Sequence, residues 1–159
     1  MEWYRLLIVL HITGAAIWVG GHLVLSLAIL PGALRTRDTS IVREFEARYE
    51  RIGVPSLAAQ VITGLLLIDR WIPSLNALFP PLSPRAWFIA VKFVLLAVTI
   101  IIAAHARLRI IPVLDESSLA SLAYHAFAVT LLGLALIVMG VAIRTEDCSE
   151  LRNSESGDA

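Results

Sequence analysis

Four long apolar stretches, separated by shorter polar segments, dominate the pattern of hydrophobic and polar positions along this chain. They cover about residues 4–30, 54–70, 86–106 and 119–143. At about 1.5 Å of rise per residue, a helix of roughly 20 apolar residues crosses the roughly 30 Å hydrocarbon core of a bilayer. The pattern therefore predicts four transmembrane helices, packed together as an all-α integral membrane bundle.

The polar segments between these stretches differ from one another. Pro31 and Gly32 are predicted to end the first span, and residues 39–52 then read as an amphipathic helix at the membrane interface between the first and second spans. The apolar positions of that helix recur at helical spacing: Ile41, Val42, Phe45, Tyr49 and Ile52. Residues 73–85 contain four prolines and are predicted to form a loop. The polar tail, residues 144–159, is predicted to be disordered.

Composition agrees with one small membrane domain and excludes several other classes of protein. Of the 159 residues, 58% are hydrophobic, against roughly 45–50% in ordinary soluble domains. The formal net charge is zero and no Lys/Arg-rich block exists, which argues against a nucleic-acid partner. Cys148 is the only cysteine, so there is no intrachain disulfide and no CxxC motif. No nucleophile–base–acid constellation or phosphate-binding glycine loop is recognisable, which argues against hydrolase or nucleotide chemistry.

Basic residues are distributed unequally between the two sides of the predicted bundle. Seven lie on the side of the amphipathic helix, namely Arg35, Arg37, Arg43, Arg48, Arg51, Arg107 and Arg109. Five lie on the other side, namely Arg5, Arg70, Arg85, Arg144 and Arg152. The positive-inside rule then predicts a multi-pass protein of a bacterial-type inner membrane, with both termini outside and the amphipathic helix in the cytoplasm.

Four histidines and one lysine fall within the apolar stretches: His11, His22, Lys92, His105 and His125. Such groups are costly in lipid and usually face the bundle interior or a functional site. Counted from the ends of their spans, His11 and Lys92 both lie about two turns from the outer side, whereas His22 and His125 both lie about two turns from the inner side. His105 is also on the inner side, turned roughly 140° from Lys92 around the third helix. The sequence thus predicts two layers of ionisable groups.

The inner layer predicts a ligand site. Helix bundles hold haem or a transition metal between neutral imidazoles that project into the core from facing helices. His22 and His125 are therefore candidate ligands of a haem iron, or of copper, and His11 and His105 are further candidates for cofactor binding. The alternative is that each histidine only hydrogen-bonds a neighbouring helix.

The outer layer predicts a different chemistry. A buried lysine is disfavoured in its charged form unless it is paired, so Lys92 is a candidate proton donor or acceptor together with His11, or a contact for an anionic ligand. The alternative for Lys92 is that its long side chain only reaches back to the membrane interface. His11 has the stronger functional claim, since its side chain is too short to do so.

Several segments of the chain resemble a known family of membrane proteins. The resemblance lies in LHITGAAIWVGGHL of the first span, ITGLLL of the second and WFIAVKFVLLAVTIIIAAHARLRIIPVL of the third. Over about residues 5–143 the sequence resembles the core domain of the copper-resistance protein D (CopD) family, and more distantly the HemJ-type protoporphyrinogen IX oxidases. The resemblance implies a four-helix inner-membrane protein linked to copper handling or haem chemistry. In HemJ-type proteins a first-helix histidine and a third-helix lysine form the functional pair, and His11 and Lys92 match them.

The remaining histidines lie outside the common pattern of that family, and this favours a bound haem b. The leading hypothesis is a CopD-like membrane protein that binds haem b through His22 and His125 and exchanges electrons with a redox partner or quinone, as a membrane oxidoreductase of cytochrome b type. Copper binding or transport by the histidines, and HemJ-like oxidation of a porphyrinogen by His11 and Lys92, are the alternatives. The expected surround of the protein is membrane lipid. The small residues in the spans are also compatible with a helix–helix contact between two copies of the chain, that is, with a homodimer.

Overall fold

The computed structural model describes residues 2–68 and 84–157, and the side chains of residues 2–68 and 86–142. The described residues form helices and contain no strand. The α-helices are α1 (Glu2–Val24), α2 (Leu30–Thr36), α3 (Ser40–Ile68), α4 (Pro84–His105) and α5 (Leu119–Gly157). The predicted loop over residues 73–85 lies outside the described residues, except that Pro84 begins α4.

The first membrane span is longer than the sequence predicted. A π-helical turn, Leu25–Ile29, joins α1 directly to α2. The prediction that Pro31 and Gly32 end this span is wrong, because Pro31 lies in the first turn of α2, directly after the π-helical turn, and the helix continues past it to Thr36. The helix ends after Thr36, with Arg37 in the left-handed conformation (φ 57°) that is common at helix C-termini.

The predicted amphipathic helix and the predicted second span are one continuous helix, α3. Pro55 lies inside it and removes one backbone hydrogen bond. The helix nevertheless continues, since it packs closely against α1 on both sides of Pro55. The ring of Tyr49 lies against Gly21, and a Cβ atom at Gly14 would lie only 2.9 Å from the carbonyl oxygen of Ser56. Interhelical packing thus compensates for the proline.

The connection between α4 and α5 is tightly structured. A π-helical turn, Ala106–Ile110, and a 3₁₀ turn, Ile111–Val113, end the third span. The Asp115 carboxylate accepts the backbone N–H of Ser118 (2.8 Å), and the Asp115 backbone N–H donates to the Ser118 hydroxyl (2.9 Å), which closes a capping box before α5. Hydrogen bonds from the Ser117 hydroxyl and from Ser118 lower the pKa of Asp115 to about 2.

The last helix also exceeds its predicted length. The sequence predicts a disordered tail over residues 144–159, whereas α5 continues as helix to Gly157. This segment contains no proline, and the first glycine in it stands at the end of the helix, so no residue interrupts the backbone hydrogen bonding before that point.

Within the described part of the chain, four helical segments are long and apolar enough to cross a membrane: Glu2–Thr36, Ser40–Ile68, Ala86–Val113 and Leu119–Ala142. Many of their large apolar side chains are exposed on the bundle surface, for example Leu27, Ile101, Leu131 and Val138. Apolar side chains on the outside of a bundle suit a lipid surround. The prediction of an all-α, four-helix membrane bundle is confirmed.

Candidate functional site

Two cavities lie at different levels of the bundle. The first, which we call the lysine cavity, measures about 570 Å³ and is lined by His11 and Lys92 among mostly apolar side chains. The second, the histidine cavity, measures about 260 Å³ and is lined by His22 and His125. The cluster of Trp18, Val19 and Val129 packs α1 against α5, and Trp18 and Val129 also line the histidine cavity. The two layers expected from the sequence correspond to these two cavities.

His11 is held in place by α3. Its Nδ1–H points at the carbonyl oxygen of Gln60 and the hydroxyl oxygen of Thr63, each 3.0 Å away. The Thr63 hydroxyl in turn donates to the carbonyl oxygen of Ala59 (2.6 Å), so its oxygen is free to accept from the imidazole. Gly64 lies beside the ring and leaves room for it, since a Cβ atom there would come within 3.1 Å of the His11 Cε1 atom. In the neutral ring this arrangement leaves Nε2 as an acceptor.

Lys92 crosses the same cavity from α4 towards α5. A Cβ atom at Gly140 would lie 3.4 Å from the Lys92 Nζ atom, so the ammonium group approaches the α5 backbone at a residue without a side chain. Among the residues that the structure describes, Lys92 has no acidic partner in an ion pair. Its charge is therefore uncompensated by the described part of the protein.

His22 is oriented by its own helix and by α3. Its Nδ1–H donates to the carbonyl oxygen of Trp18 (2.9 Å), which also accepts the hydroxyl of Tyr49 (2.8 Å). The His22 ring packs against the Trp18 ring, with 4.3 Å between centroids, and meets the Tyr49 ring edge-on at 5.8 Å. Because Nδ1 carries the proton, the lone pair of the neutral ring is on Nε2.

His125 is paired with His105. Its Nδ1–H donates to the carbonyl oxygen of Ser121 (2.8 Å), which leaves Nε2 as the acceptor. The Nδ1 atom of His105 lies 3.0 Å from that Nε2 atom, and the two rings stack with 5.0 Å between centroids and 18° between planes. His105 thus meets α5 although it is turned away from Lys92 around α4, because α4 and α5 lie side by side.

Charged side chains complete the lining of the histidine cavity. Glu46 and Glu50 of α3 and Arg107 of the π-helical turn after α4 all line it. Arg107 forms an ion pair with Glu50. These charged residues and Tyr49 were not identified as site residues from the sequence. Glu46, Tyr49 and Glu50 belong to an ordinary amphipathic pattern and Arg107 follows the third span, and only interhelical packing brings them to the histidines.

The predicted site residues are thus brought together in part. His11 and Lys92 share one cavity, and His22 and His125 share the other, but the direct ring contact of His125 is with His105. Within residues 2–68 and 86–142, no three His, Cys, Asp or Glu side chains are close enough together to hold a metal ion as a ready-made group. The assignment of any of these residues to a cofactor stays a prediction.

The histidine cavity does not fit a haem between His22 and His125. Clefts that enclose a drug-sized ligand measure about 300–1,000 Å³, and a porphyrin is no smaller than such a ligand. The cavity, at about 260 Å³, is below that range, and the Nε2 atom of His125 faces His105. The available space and donors suit a single ion better than a flat macrocycle.

These features define a small multi-pass membrane protein with polar side chains placed among its spans, of which His105 is exposed on the bundle surface. The family model for copper resistance protein D matches residues 43–143, and the chain belongs to the CopD family. The matched segment contains Lys92, His105 and His125, whereas α1, with His11 and His22, precedes it. No curated protein and no solved structure matches the chain. The chain is therefore a copper-resistance-type integral membrane protein.

Proposed function

We propose that this protein binds copper ions inside the membrane, at the histidine cavity, and so handles copper as its cargo. The observation that carries this proposal is the imidazole pair, in which the His105 Nδ1 and His125 Nε2 atoms lie 3.0 Å apart beside a cavity that His22 also lines. Imidazole nitrogen suits copper among the transition metals, and family membership independently supports a link to copper.

The hydrogen bonds around the rings favour metal binding. A histidine that ligates a metal usually donates its other ring N–H to a carbonyl or carboxylate, which fixes the ring and its tautomer. His22 and His125 both do so, each to the carbonyl oxygen of the residue four positions earlier. Both rings therefore direct an unprotonated Nε2 away from their own helix. A cation that binds the pair takes the place of the proton that His105 shares with His125.

The acidic side chains add a negative field to the same cavity. Glu46 and Glu50 line it, and a single cation, Arg107, pairs with Glu50. Carboxylates near a cleft raise the local concentration of cations. We infer that Glu46 assists the entry of copper, and that the imidazoles hold it.

The test is a copper titration of the full chain, purified in a neutral detergent, in competition with a chromogenic Cu(I) chelator. We expect His125→Gln and His105→Gln each to lower the affinity for copper about tenfold or more, since the altered ligand leaves the pair incomplete. His11→Gln is the matched control, because it changes an imidazole in the other cavity, and its copper affinity should equal that of the wild type. Unchanged affinity in both pair variants, or equal loss in the control, would contradict the proposal.

Haem b binding, the leading hypothesis from the sequence, is separated from copper binding by an absorption spectrum. A Soret band in protein purified after haem supplementation, lost in His125→Gln, would favour haem over copper. A protein without this band that binds copper in the titration above would support the copper site.

Oxidation of a porphyrinogen is the second candidate function, and the shared cavity of His11 and Lys92 favours it. In this case the two side chains would exchange protons with the substrate while an external acceptor takes its electrons. Loss of porphyrinogen oxidation in Lys92→Ala is the expected result, and full activity in that variant would remove this candidate.

We further propose that the protein lies in a bacterial-type inner membrane with both termini outside, so that the histidine cavity is on the cytoplasmic side. The excess of basic residues on that side supports this orientation. Cys148, the only cysteine, follows the last span and provides a direct test. A membrane-impermeant maleimide should label it in cells with a permeabilised outer envelope, and labelling only after lysis would reverse the orientation.

A further inference from the structure

We propose that the lysine cavity binds a single-chain amphiphile with one carboxylate, of fatty-acid type, taken from the surrounding bilayer. The carboxylate contacts the Lys92 ammonium group and the chain lies along the apolar wall of the cavity. This site is distinct from the proposed copper site, and neither proposal depends on the other.

Charge complementarity points to an anionic ligand. Among the described side chains that line the cavity, Lys92 is the only charged one, and it has no acidic partner in that part of the chain. An ammonium group in apolar surroundings is costly without a counter-charge. A carboxylate supplies that counter-charge and accepts a charge-assisted hydrogen bond from Nζ.

The other polar groups limit the ligand to one negative charge. The Nδ1–H of His11 is already engaged by the Gln60 carbonyl oxygen and the Thr63 hydroxyl oxygen, and in its neutral form the ring adds no positive charge to the cavity. One lysine therefore matches one carboxylate. A phosphomonoester or a dicarboxylate would bring a second negative charge that the described residues leave unpaired.

The position of the ammonium group matches an amphiphile that lies with its head at the membrane surface. Nζ lies beside Gly140, close to the end of the fourth apolar stretch, which the sequence places at about residue 143. From there the cavity extends inwards to Leu96, which at about 1.5 Å per residue lies roughly 15 Å beyond Ala86, the start of the third span. A charged head at the end of the span and a chain directed into the bundle fit this shape.

The cavity is accessible from the lipid. Ile12, Leu65 and Val141 line it and are nevertheless 61%, 54% and 57% exposed, so its wall is also part of the surface that faces the acyl chains. Its volume of about 570 Å³ lies within the range of about 300–1,000 Å³ that is typical of ligand sites. A chain from the bilayer therefore enters sideways, without crossing water.

The test uses cis-parinaric acid, a fluorescent fatty acid, and the full chain in phosphatidylcholine nanodiscs, with empty nanodiscs as the baseline for partition into lipid. We expect saturable binding to the wild type, and about tenfold weaker binding to Lys92→Met, which keeps an apolar stem and loses the charge. Lys92→Arg should restore most of the affinity. The methyl ester of the same acid should bind the wild type as weakly as the acid binds Lys92→Met.

His125→Gln is the control in the other cavity, and its affinity for the acid should equal that of the wild type. Three results would each overturn the proposal: equal binding of acid and ester, unchanged binding in Lys92→Met, or a protoporphyrin that competes for the site and binds more tightly than the acid. The last result would favour the porphyrinogen candidate for this cavity.

Discussion

The lysine cavity and the histidine cavity lie in the same bundle, but they differ in whether their polar groups have partners within the protein. At the histidine cavity several polar groups have protein partners: His125 pairs with His105 beside the cavity, His22 bonds to Trp18 and Arg107 pairs with Glu50. In the lysine cavity the one cation has no described partner. A compact site lined by imidazole and carboxylate groups suits a small ion, whereas a roomy apolar site with one charge that has no described partner suits an amphiphile.

The backbone differs between the two cavities as well. Leu25–Ile29 and Ala106–Ile110, the two π-helical turns, each begin within three residues of a histidine of the inner group, after His22 and after His105. Such turns are rare and frequently occur at functional sites. The lysine cavity instead lies against regular helix, where glycines at positions 64 and 140 make the space for the His11 ring and the Lys92 ammonium group. One cavity is thus shaped by helix irregularity and the other by missing side chains.

The largest effect should come from a methyl group added between α1 and α3. A Cβ atom at Gly21 would lie within the Tyr49 ring, so Gly21→Ala must displace this ring and break its hydrogen bond to the Trp18 carbonyl. We expect a loss of about 1–3 kcal/mol of stability, as for other overpacked cores, together with weaker copper binding. Unfolding in detergent, followed by circular dichroism, measures the first effect and the chelator titration the second.

Gly20→Ala is the matched control, since a Cβ atom at Gly20 has no neighbour within 4 Å. It should leave both stability and copper affinity close to those of the wild type. Fatty-acid binding should remain unchanged in both glycine variants. If Gly21→Ala weakened both ligands equally, the two cavities would have to be regarded as one coupled site.

A smaller effect is expected from the hydrogen bonds that join α1 to α5 beside the histidine cavity. Thr130 donates to the carbonyl oxygen of Ala126 (2.7 Å), and its hydroxyl lies 2.8 Å from that of Ser26. Thr130→Val removes this link and leaves the buried Ser26 hydroxyl without it. Interhelical hydrogen bonds in membrane proteins contribute about 0.6 kcal/mol on average and up to about 1.7 kcal/mol, so unfolding should be easier by an amount in that range.

Thr99→Val provides the comparison for this variant. Thr99 is also fully buried, but its hydroxyl donates to the carbonyl oxygen of Leu95 in its own helix (2.7 Å). Thr99→Val should therefore lower the free energy of unfolding by less than Thr130→Val does. An equal cost in the two variants would show that the link between α1 and α5 is not what Thr130 contributes.

The smallest expected effect is a pH dependence of stability. It arises at the end of the bundle beside the histidine cavity, where Asp115 caps α5. The pKa of Asp115 is lowered to about 2 from an ordinary value of 3.8, so its carboxylate adds stability above about pH 4 that is lost as the pH falls through about 2. The melting temperature of the wild type should therefore fall between pH 4 and pH 2 by slightly more than that of Asp115→Asn. Parallel pH profiles for the two proteins would contradict this expectation.

The depth of each ionisable group along its helix could be predicted from the sequence. The neighbouring helix towards which its side chain points could not. Counting residues from the span ends placed His11 with Lys92 and His22 with His125, and the structure groups these residues in two cavities in the same way. The contact between His105 and His125 was not predicted. It depends on how α4 and α5 are rotated about their axes, and a span that is apolar on every side carries no periodic signal for that rotation.

The amino-acid sequence by itself determined that this protein is a helical membrane bundle, because a chain in lipid must satisfy its backbone hydrogen bonds internally and long apolar stretches do so as helices. It also determined which charged and imidazole groups enter the membrane, and at what level. Only the tertiary structure decided which of these groups contact one another. It also decided that Pro31 and Pro55 lie within helices, and that the lysine cavity is larger than the histidine cavity. These features depend on contacts between helices, where a single glycine or π-helical turn changes the available space.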